Sequence, residues 1–389
     1  MLQAFFNGLS GLFAFSKGLD NVSNNVSNMN TPGFRGSDTF YRSVSGQGGD
    51  GLGARVTGTE VRTKPGDPRQ TGNATDLAIS GAGYFILRDG SNEALYSRAG
   101  QFQINTDGFL VDTVTQKRVA GLDAGGALVD INIKDQRSLP PKPTTRVELI
   151  GSLARSGPFD PTHKITSVQV FDASGVTHSL TLEFEPQPVP ANSWRVMVTD
   201  SSGSLLHSGS VAFGLDGTPR AGFNTLDFTL AGTQRITLDF GTPGSFNLAS
   251  EVASGPTHSL GARVVDGSAI AGLSTLSFDD KGVVKLSYAN GEKRDGSQLA
   301  LADFPDESAL IGAENSLYRA PGNLRPIYGP PASGVYGRIQ GGYLELSNVD
   351  LAQEFGDILI IQRGYQASSR VMTVSNEMLE QLYNSTRGG

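Results

Sequence analysis

Two apolar stripes, one near each end of the chain, repeat at the alternating three- and four-residue spacing of a helix that packs lengthwise on another helix. The first runs Leu2, Phe5, Leu9, Leu12, Ser16, Leu19, Ser23 and Val26, interrupted only by serines. The second runs Leu351, Phe355, Ile358, Gln362, Tyr365, Ser369, Met372, Asn376, Leu379 and Tyr383. Almost everything between them reads as short strands and turns. A chain built this way carries a helical seam at each terminus and a β-rich body between, the plan of a subunit that packs by its ends. That points to assembly rather than catalysis.

At 389 residues there is room for two or three domains with sizeable cores. Fifty glycines, nineteen prolines and only 18% charged residues fit a turn-rich β protein better than a helical enzyme. With no cysteine, disulfides, thiolate catalysis and thiolate metal sites are all excluded. A net charge of −7 without a basic stripe argues against nucleic acid as a partner. No run approaches the roughly 18 uninterrupted apolar residues of a membrane span, so membrane insertion is not expected. Near the start Phe5, Phe6, Leu9, Leu12, Phe13 and Phe15 crowd together, but the first cation is Lys17. A cleaved secretory signal needs its basic residues ahead of the apolar run.

The first helix should end in the asparagine-rich run Asn21, Asn24, Asn25, Asn28 and Asn30, because Thr31-Pro32-Gly33 cannot continue it. Residues 1–30 carry only Lys17 and Asp20 as charges, fewer than a solvated surface helix needs, so enclosure on most sides is expected. Residues 35–55 read as a glycine- and serine-rich linker or extended arm. Strand-like runs follow at Leu77–Ile79, Tyr84–Leu87, Phe102–Ile104 and Phe109–Asp112, separated by short glycine-containing breaks typical of antiparallel hairpins. Leu139-Pro140-Pro141-Lys142-Pro143 marks a boundary. Beyond it, period-two alternation at Ser167–Phe171, Leu180–Phe184, Trp194–Val198 and Arg235–Phe240 predicts a sandwich or barrel. Ser347-Asn348-Val349-Asp350 matches an acidic capping box at the start of the second long helix, with Asp350 and Glu354 suited to its positive end. Each terminal helix should span roughly 40–50 Å.

Chemistry-bearing constellations are missing. His163, His178, His207 and His258 show no metal-ligand spacing and read as surface residues. Gly49-Asp50-Gly51-Leu52-Gly53 and Gly81-Ala82-Gly83 match neither a dinucleotide fingerprint nor a phosphate loop, and no G-x-S-x-G elbow occurs. Asp172, Asp200, Asp216 and Asp279 sit in turn contexts that explain them without a glycosidase pair. No cofactor or metal is expected, and no catalytic residue is named.

The residues do match a family. Gly8-Leu9-Ser10-Gly11-Leu12, then Asn24, Asn25, Asn28, Thr31, Pro32, Gly33 and Phe34, resemble the opening signature of bacterial flagellar rod and hook axial proteins. Thr75 to Phe85 and Tyr96 to Phe102 resemble that family's shared β domain. Asn348, Val349 and Asp350, followed by Arg363 and Tyr365, resemble its closing helix. About 120 residues separate the two halves of the β domain here, and Val170 to Leu180 within that insert resemble the outer domain of the family's hook branch. Rod-type members lack such an insert, which makes a distal rod protein the second reading and a β-rich secreted hydrolase a distant third.

The resemblance implies a mainly β chain with N- and C-terminal α-helices. Two stacked β domains are expected, an inner discontinuous one (56–146 and 270–343) and an outer sandwich- or barrel-like insert (147–269). The linker arm (35–55) and coiled-coil-like terminal helices (1–34 and 344–389) complete it. It implies a non-enzymatic subunit that self-assembles into a helical tube transmitting torque as a universal joint. The expected partners are further copies of itself, a distal rod protein, a hook cap, a hook–filament junction protein and the flagellar type III export apparatus. The expected place is the extracellular hook and basal body, reached without a cleaved signal. Phe13 and Phe15, where smaller residues are usual, and the tail Asn384–Gly389 depart from the family pattern. The assembly interface is expected at Leu2, Phe5, Leu9, Leu12, Leu19, Val26, Leu351, Phe355, Ile358, Tyr365, Met372 and Leu379. Isolated helices are marginal, so both ends are expected to lack order until a polymer buries them.

Overall fold

The structure, a computed structural model, describes residues 2–45, 51–89, 93–123, 125–154, 162–230, 232–252 and 257–387. The chain forms two compact units, one of Met1–Asp135, Thr275–Leu286 and Lys293–Gly389, the other of Gln136–Ser274 and Ser287–Glu292.

In the first unit both ends are helical, as α1 (Leu2–Ser27) and α2 (Leu351–Arg387). They pack on each other within the single chain, contrary to the expectation that the ends lack order alone. Each helix supplies the other with the tertiary contact that propensity cannot. The expected linker arm over 35–55 is instead an antiparallel hairpin of β1 (Ser37–Ser45) and β2 (Gly51–Val61), registered from Ser37 opposite Val61 to Ser43 opposite Ala54. Thr39, Phe40, Tyr41, Val44, Val56, Thr57 and Thr59 supply β-branched and aromatic residues that outweigh the glycines and serines. The hairpin is fastened to α1 where the Ala54 N–H donates to Ser10 Oγ at 3.2 Å. The loop joining its strands, with the start of the Gly49–Gly53 cluster, lies outside the described residues.

The β body of this unit interleaves two distant stretches of sequence. Strand Tyr84–Arg88 pairs with Ala94–Ser97, with Arg118–Leu122 and, from far along the chain, with Leu301–Asp303. Leu77–Ser80 pairs with Arg338–Gly341, and Pro68–Gln70 with Tyr343–Glu345. The strand that follows the β1–β2 hairpin and the strand that leads into α2 are therefore fixed in one body. Tyr84, Ile86, Tyr96, Ala300, Ala302 and Phe304 form a core there, with aromatic edge-to-face contacts such as Tyr96–Phe304 at 4.8 Å.

The second unit is a sandwich. Its antiparallel sheet runs His163–Phe171, Thr177–Gln187, Ser193–Thr199 and Leu205–Ala212. The other sheet is mixed, because Arg146–Ala154 pairs parallel with Gln234–Asp239 and Ala249–Val252 but antiparallel with Gly261–Val264. Inward residues of both sheets share one core around Trp194, Phe184 and Phe240. The unit begins before residue 147, since Ser138 and Leu139 pair with Gly272 and Ala271 and Lys142 bridges to Ser268.

Candidate assembly interface

The helices run antiparallel: Gly8 lies against Ser368 and Met372, Phe15 against Gly364, Gly18 against Ile361, and Asn25 against Glu354. The face α1 buries is Gly8, Gly11, Ala14, Gly18, Val22 and Asn25, mostly small residues at helical spacing. A Cβ on Gly8 would sit 3.0 Å from the Ser368 carbonyl oxygen, a contact so tight that the α2 backbone would have to give way by a few tenths of an ångström. The large apolar stripes read from the sequence are therefore not the seam between these two helices. Phe5, Leu9, Leu12 and Val26 are half-buried on the flank of α1, Leu19 is exposed, and the Leu2 side chain lies outside the described residues. Leu351, Ile358, Met372 and Leu379 are half-buried on α2, whereas Phe355, Tyr365 and Tyr383 are exposed. Phe6 and Phe13 are 55% and 67% exposed, a large apolar area on helices of a β-rich chain.

At the base of the helix pair a polar clasp joins four segments. Glu354 is fully buried and accepts from Arg62 Nη1 at 2.7 Å and from Asn25 Nδ2 at 3.1 Å. Arg62 also forks onto Asp38, and this hydrogen bond is the main reason its guanidinium is held more firmly protonated than usual. Asn25 has no exposed surface and reads the backbone of Ser37 in both directions, donating to its carbonyl at 2.9 Å and accepting from its N–H at 3.0 Å. Asn348 does the same one strand over, accepting from the Gly36 N–H and donating to the carbonyls of Arg62 and Lys64. The two asparagines splice the hairpin to both helices. The α2 cap is Asp350 rather than Ser347, its carboxylate accepting from the Ala352 N–H at 2.8 Å. Glu354 faces inward to Arg62 instead of serving the helix end.

The turn after α1 makes the second joint. Asn28 donates back to Asn24, Thr31 caps onto Asn28, and Gly33 adopts φ +67° so that its N–H reaches the Glu345 carbonyl at 2.8 Å. A Cβ on Gly33 would lie 2.2 Å from the Ala99 nitrogen, so glycine is required. Pro32 and Phe34 line an open groove with Asn24, Asn28 and Thr31. Beneath the turn, Arg98 is wholly buried, paired with Glu345 at 2.7 Å and donating to the carbonyls of Ile79, Gly81 and Gly83. Burial pulls the Arg98 pKa down, and Glu345 opposes that shift. Val349 packs beside Gly36, while Arg363 and Tyr365 point to solvent.

Four family models match in chain order. They are the flagella basal body rod protein (residues 6–35), the flagellar hook protein FlgE/F/G D1 domain (78–139), the flagellar basal body protein FlaE D2 domain (154–293) and the flagellar basal body rod FlgEFG protein C-terminal (340–385). Flagellar hook protein FlgE of Borreliella burgdorferi is 27% identical, the alignment covering 98% of this chain and 99% of that one. FlgE of Escherichia coli is also 27% identical, over 98% and 100%. FlgE of Rhizobium meliloti is 29% identical over 98% of each. The chain belongs to the flagellar hook protein family. A solved flagellar hook protein FlgE2 of Helicobacter pylori is 13% identical with a TM-score of 0.45, covering 71% of this chain and all of that one.

Full-length likeness to hook proteins disfavours both the distal rod and the hydrolase readings. The hook-family motif residues divide by role: Asn25, Gly33, Asn348 and Asp350 hold the joint, whereas the exposed side chains of Arg363 and Tyr365 make no hydrogen bond or ion pair among the described residues. Sequence reading missed Asp38, Arg62 and Glu345. A lone acid or base in an otherwise apolar or glycine-rich stretch, as in Tyr343-Leu344-Glu345-Leu346, was the available signal. The four aspartates read as turn residues behave so: in the second unit Asp172 and Asp200 each accept two backbone N–H groups and Asp216 accepts from Thr218, and in the first unit Asp279 accepts from the N–H groups of Lys281 and Val283. The histidines are half-buried rather than plain surface residues, His163 meeting the Leu260 carbonyl at 2.7 Å and His258 stacking edge-on to Trp194.

Proposed function

We propose that this chain builds the hook tube by burying the outward faces of its paired terminal helices against further copies of itself. The observation that carries the reading is the division of α1: small residues face α2, and large apolar residues such as Phe6 and Phe13 face outward. Their burial in a polymer would contribute at roughly 25 cal/mol per Å², less the cost of ordering side chains. The clasp and the Gly33 turn would carry load from helices to β body, and bending would come from small slides between polar β surfaces of neighbouring copies.

On the same reading the chain passes through the flagellar type III apparatus without a cleaved signal and adds distally beneath a hook cap. The tube then joins a distal rod protein to a junction protein and works as a structural, non-catalytic joint outside the cell. Among the described residues no helix is long and apolar enough to cross a membrane. Electron microscopy of the purified chain under polymerising conditions tests the proposal. Tubes are expected from the full chain and none after deletion of residues 1–30 or with Leu12→Asp; tubes from the deleted chain would overturn it.

A further inference from the structure

Arg363 and Arg370 stand exposed on α2, Asp357 is half-buried there, and none of the three makes a hydrogen bond or ion pair among the described residues. Asp357 lines a half-open cleft of about 390 Å³ between α1, the β1–β2 hairpin and α2. Arg62, which also lines that cleft, is already shared by Asp38 and Glu354, so the Asp357 carboxylate is left uncompensated. Burial, and then this carboxylate, push the Tyr41 pKa up across the same cleft. Asp350, one heptad before Asp357, is exposed and uses one carboxylate oxygen for the helix cap. Two aspartates a heptad apart thus open α2, and two arginines a heptad apart follow them.

We propose that the cleft beside Asp357 receives Arg370 of a neighbouring copy, whose α2 lies parallel and displaced by 13 residues, so that its Arg363 meets Asp350. This deepens the hook reading above and rests on it, because a tube grown by one repeated screw operation gives every copy the same polarity and joins unlike patches. The two rows are unlike. Thirteen residues advance the helix by about 20 Å and leave Asp357 and Arg370 about 140° apart around its axis. They therefore look to nearly opposite sides of one copy, and they meet between copies turned by about 40° about a tube axis parallel to the helix. The heptad spacing selects the register. A displacement of six residues would engage only Arg363 with Asp357, and one of 20 residues only Arg370 with Asp350. At 13 both arginines are engaged, and Glu377 falls level with Gly364, away from any like charge.

Charge exchange in the full chain tests this, read as the critical concentration for sedimentable tubes. Arg370→Asp and Asp357→Arg should each raise it about fivefold or more, and the chain carrying both should return near the parent value. Far-UV circular dichroism checks that each monomer keeps its helices. Because the chain has no cysteine, a variant with both Asp357→Cys and Arg370→Cys gives an independent readout. Its two thiols lie about 20 Å apart within one copy, beyond the reach of a short bismaleimide. That reagent should yield a ladder of covalent multimers from its tubes, and only monomers from tubes of either single variant. Single exchanges that assemble like the parent, a double no better than the singles, or two-cysteine tubes that give no ladder would overturn the register. Rescue of Asp357→Arg by Arg363→Asp instead of Arg370→Asp would overturn it too, in favour of the six-residue displacement. Failure of the parent chain to form tubes at all would instead overturn the hook reading.

Discussion

Replacing Glu354 tests whether the clasp holds the terminal helices on the body. Its carboxylate has no exposed surface and each oxygen accepts one bond, from Arg62 at 2.7 Å and Asn25 at 3.1 Å. Glu354→Ala removes both and leaves one arm of the Arg62 guanidinium facing an empty pocket. Breaking a buried pair by deleting one partner costs about 3–5 kcal/mol. The lower figure is expected, because Arg62 keeps Asp38 and Asn25 keeps the Ser37 carbonyl.

Glu354→Gln sharpens the test. Both oxygens accept, so either orientation of the amide turns an N–H toward a donor. Glutamine should therefore cost nearly as much as alanine, about 2–3 kcal/mol. Far-UV circular dichroism at 222 nm reports chiefly on α1 and α2, of 26 and 37 residues. Denaturant titrations at that wavelength give the free energies, and amide exchange should rise in residues 2–27 and 351–387 before it rises in the β body. A double cycle with Arg62→Ala should show coupling above about 1 kcal/mol. A glutamine variant within about 0.5 kcal/mol of the parent would refute the reasoning, since a neutral side chain would then serve two opposed donors equally well.

Three other outcomes follow from the geometry. Gly33→Ala should destabilise by more than the roughly 1–2 kcal/mol of the left-handed backbone alone, because its Cβ meets the Ala99 backbone; thermal unfolding near the parent temperature would contradict this. Gly8→Leu should cost about 1–2 kcal/mol by forcing α1 off the α2 backbone, whereas Gly356→Ala, open to solvent, should gain about 1 kcal/mol; both are read by the 222 nm transition. In the second unit, Asp172 is held below the usual carboxylate pKa by the His178 hydrogen bond and then the Val176 N–H, and Asp227 by Arg235 and then Thr237. Depressed folded pKa values give stability that is present above about pH 4 and lost as pH falls through the folded values. Trp194, the sole tryptophan, lies in that core, so its fluorescence should report an acid transition that Asp172→Asn shifts.

Periodicity in the sequence revealed that both ends are helices and that the middle is strands, because large apolar residues at regular spacing carry that signal. It could not reveal which face each helix turns to the other. The face α1 uses is Gly8, Gly11, Ala14 and Gly18, and small residues register as an absence in a hydrophobic pattern although they permit the closest packing. The β1–β2 hairpin was hidden for a related reason. Its glycines and serines dominate composition, while the alternating Thr39, Tyr41, Val56 and Thr59 needed a partner strand to become legible. The clasp was hidden because its members come from four segments and are few.

The small-residue seam also has a consequence for assembly. Two helices can pair by side-chain volume or by close backbone approach. Had α1 turned Phe6, Phe13 and its leucines toward α2, the pair would be stable but would offer neighbours little apolar surface. By turning mostly glycine and alanine toward α2, α1 lets Ile361 and Met372 of α2 close on it at short range while its own Phe6 and Phe13 stay outward. The cost is that the pair relies on polar anchoring at its base, where Asn25, Arg62 and Glu354 interlock. An exposed apolar helix pair and a buried ionic clasp are therefore two sides of one arrangement: in the assembly proposed above, the first would provide the surface for the next copy, and the second would keep that surface from being lost before the copy arrives.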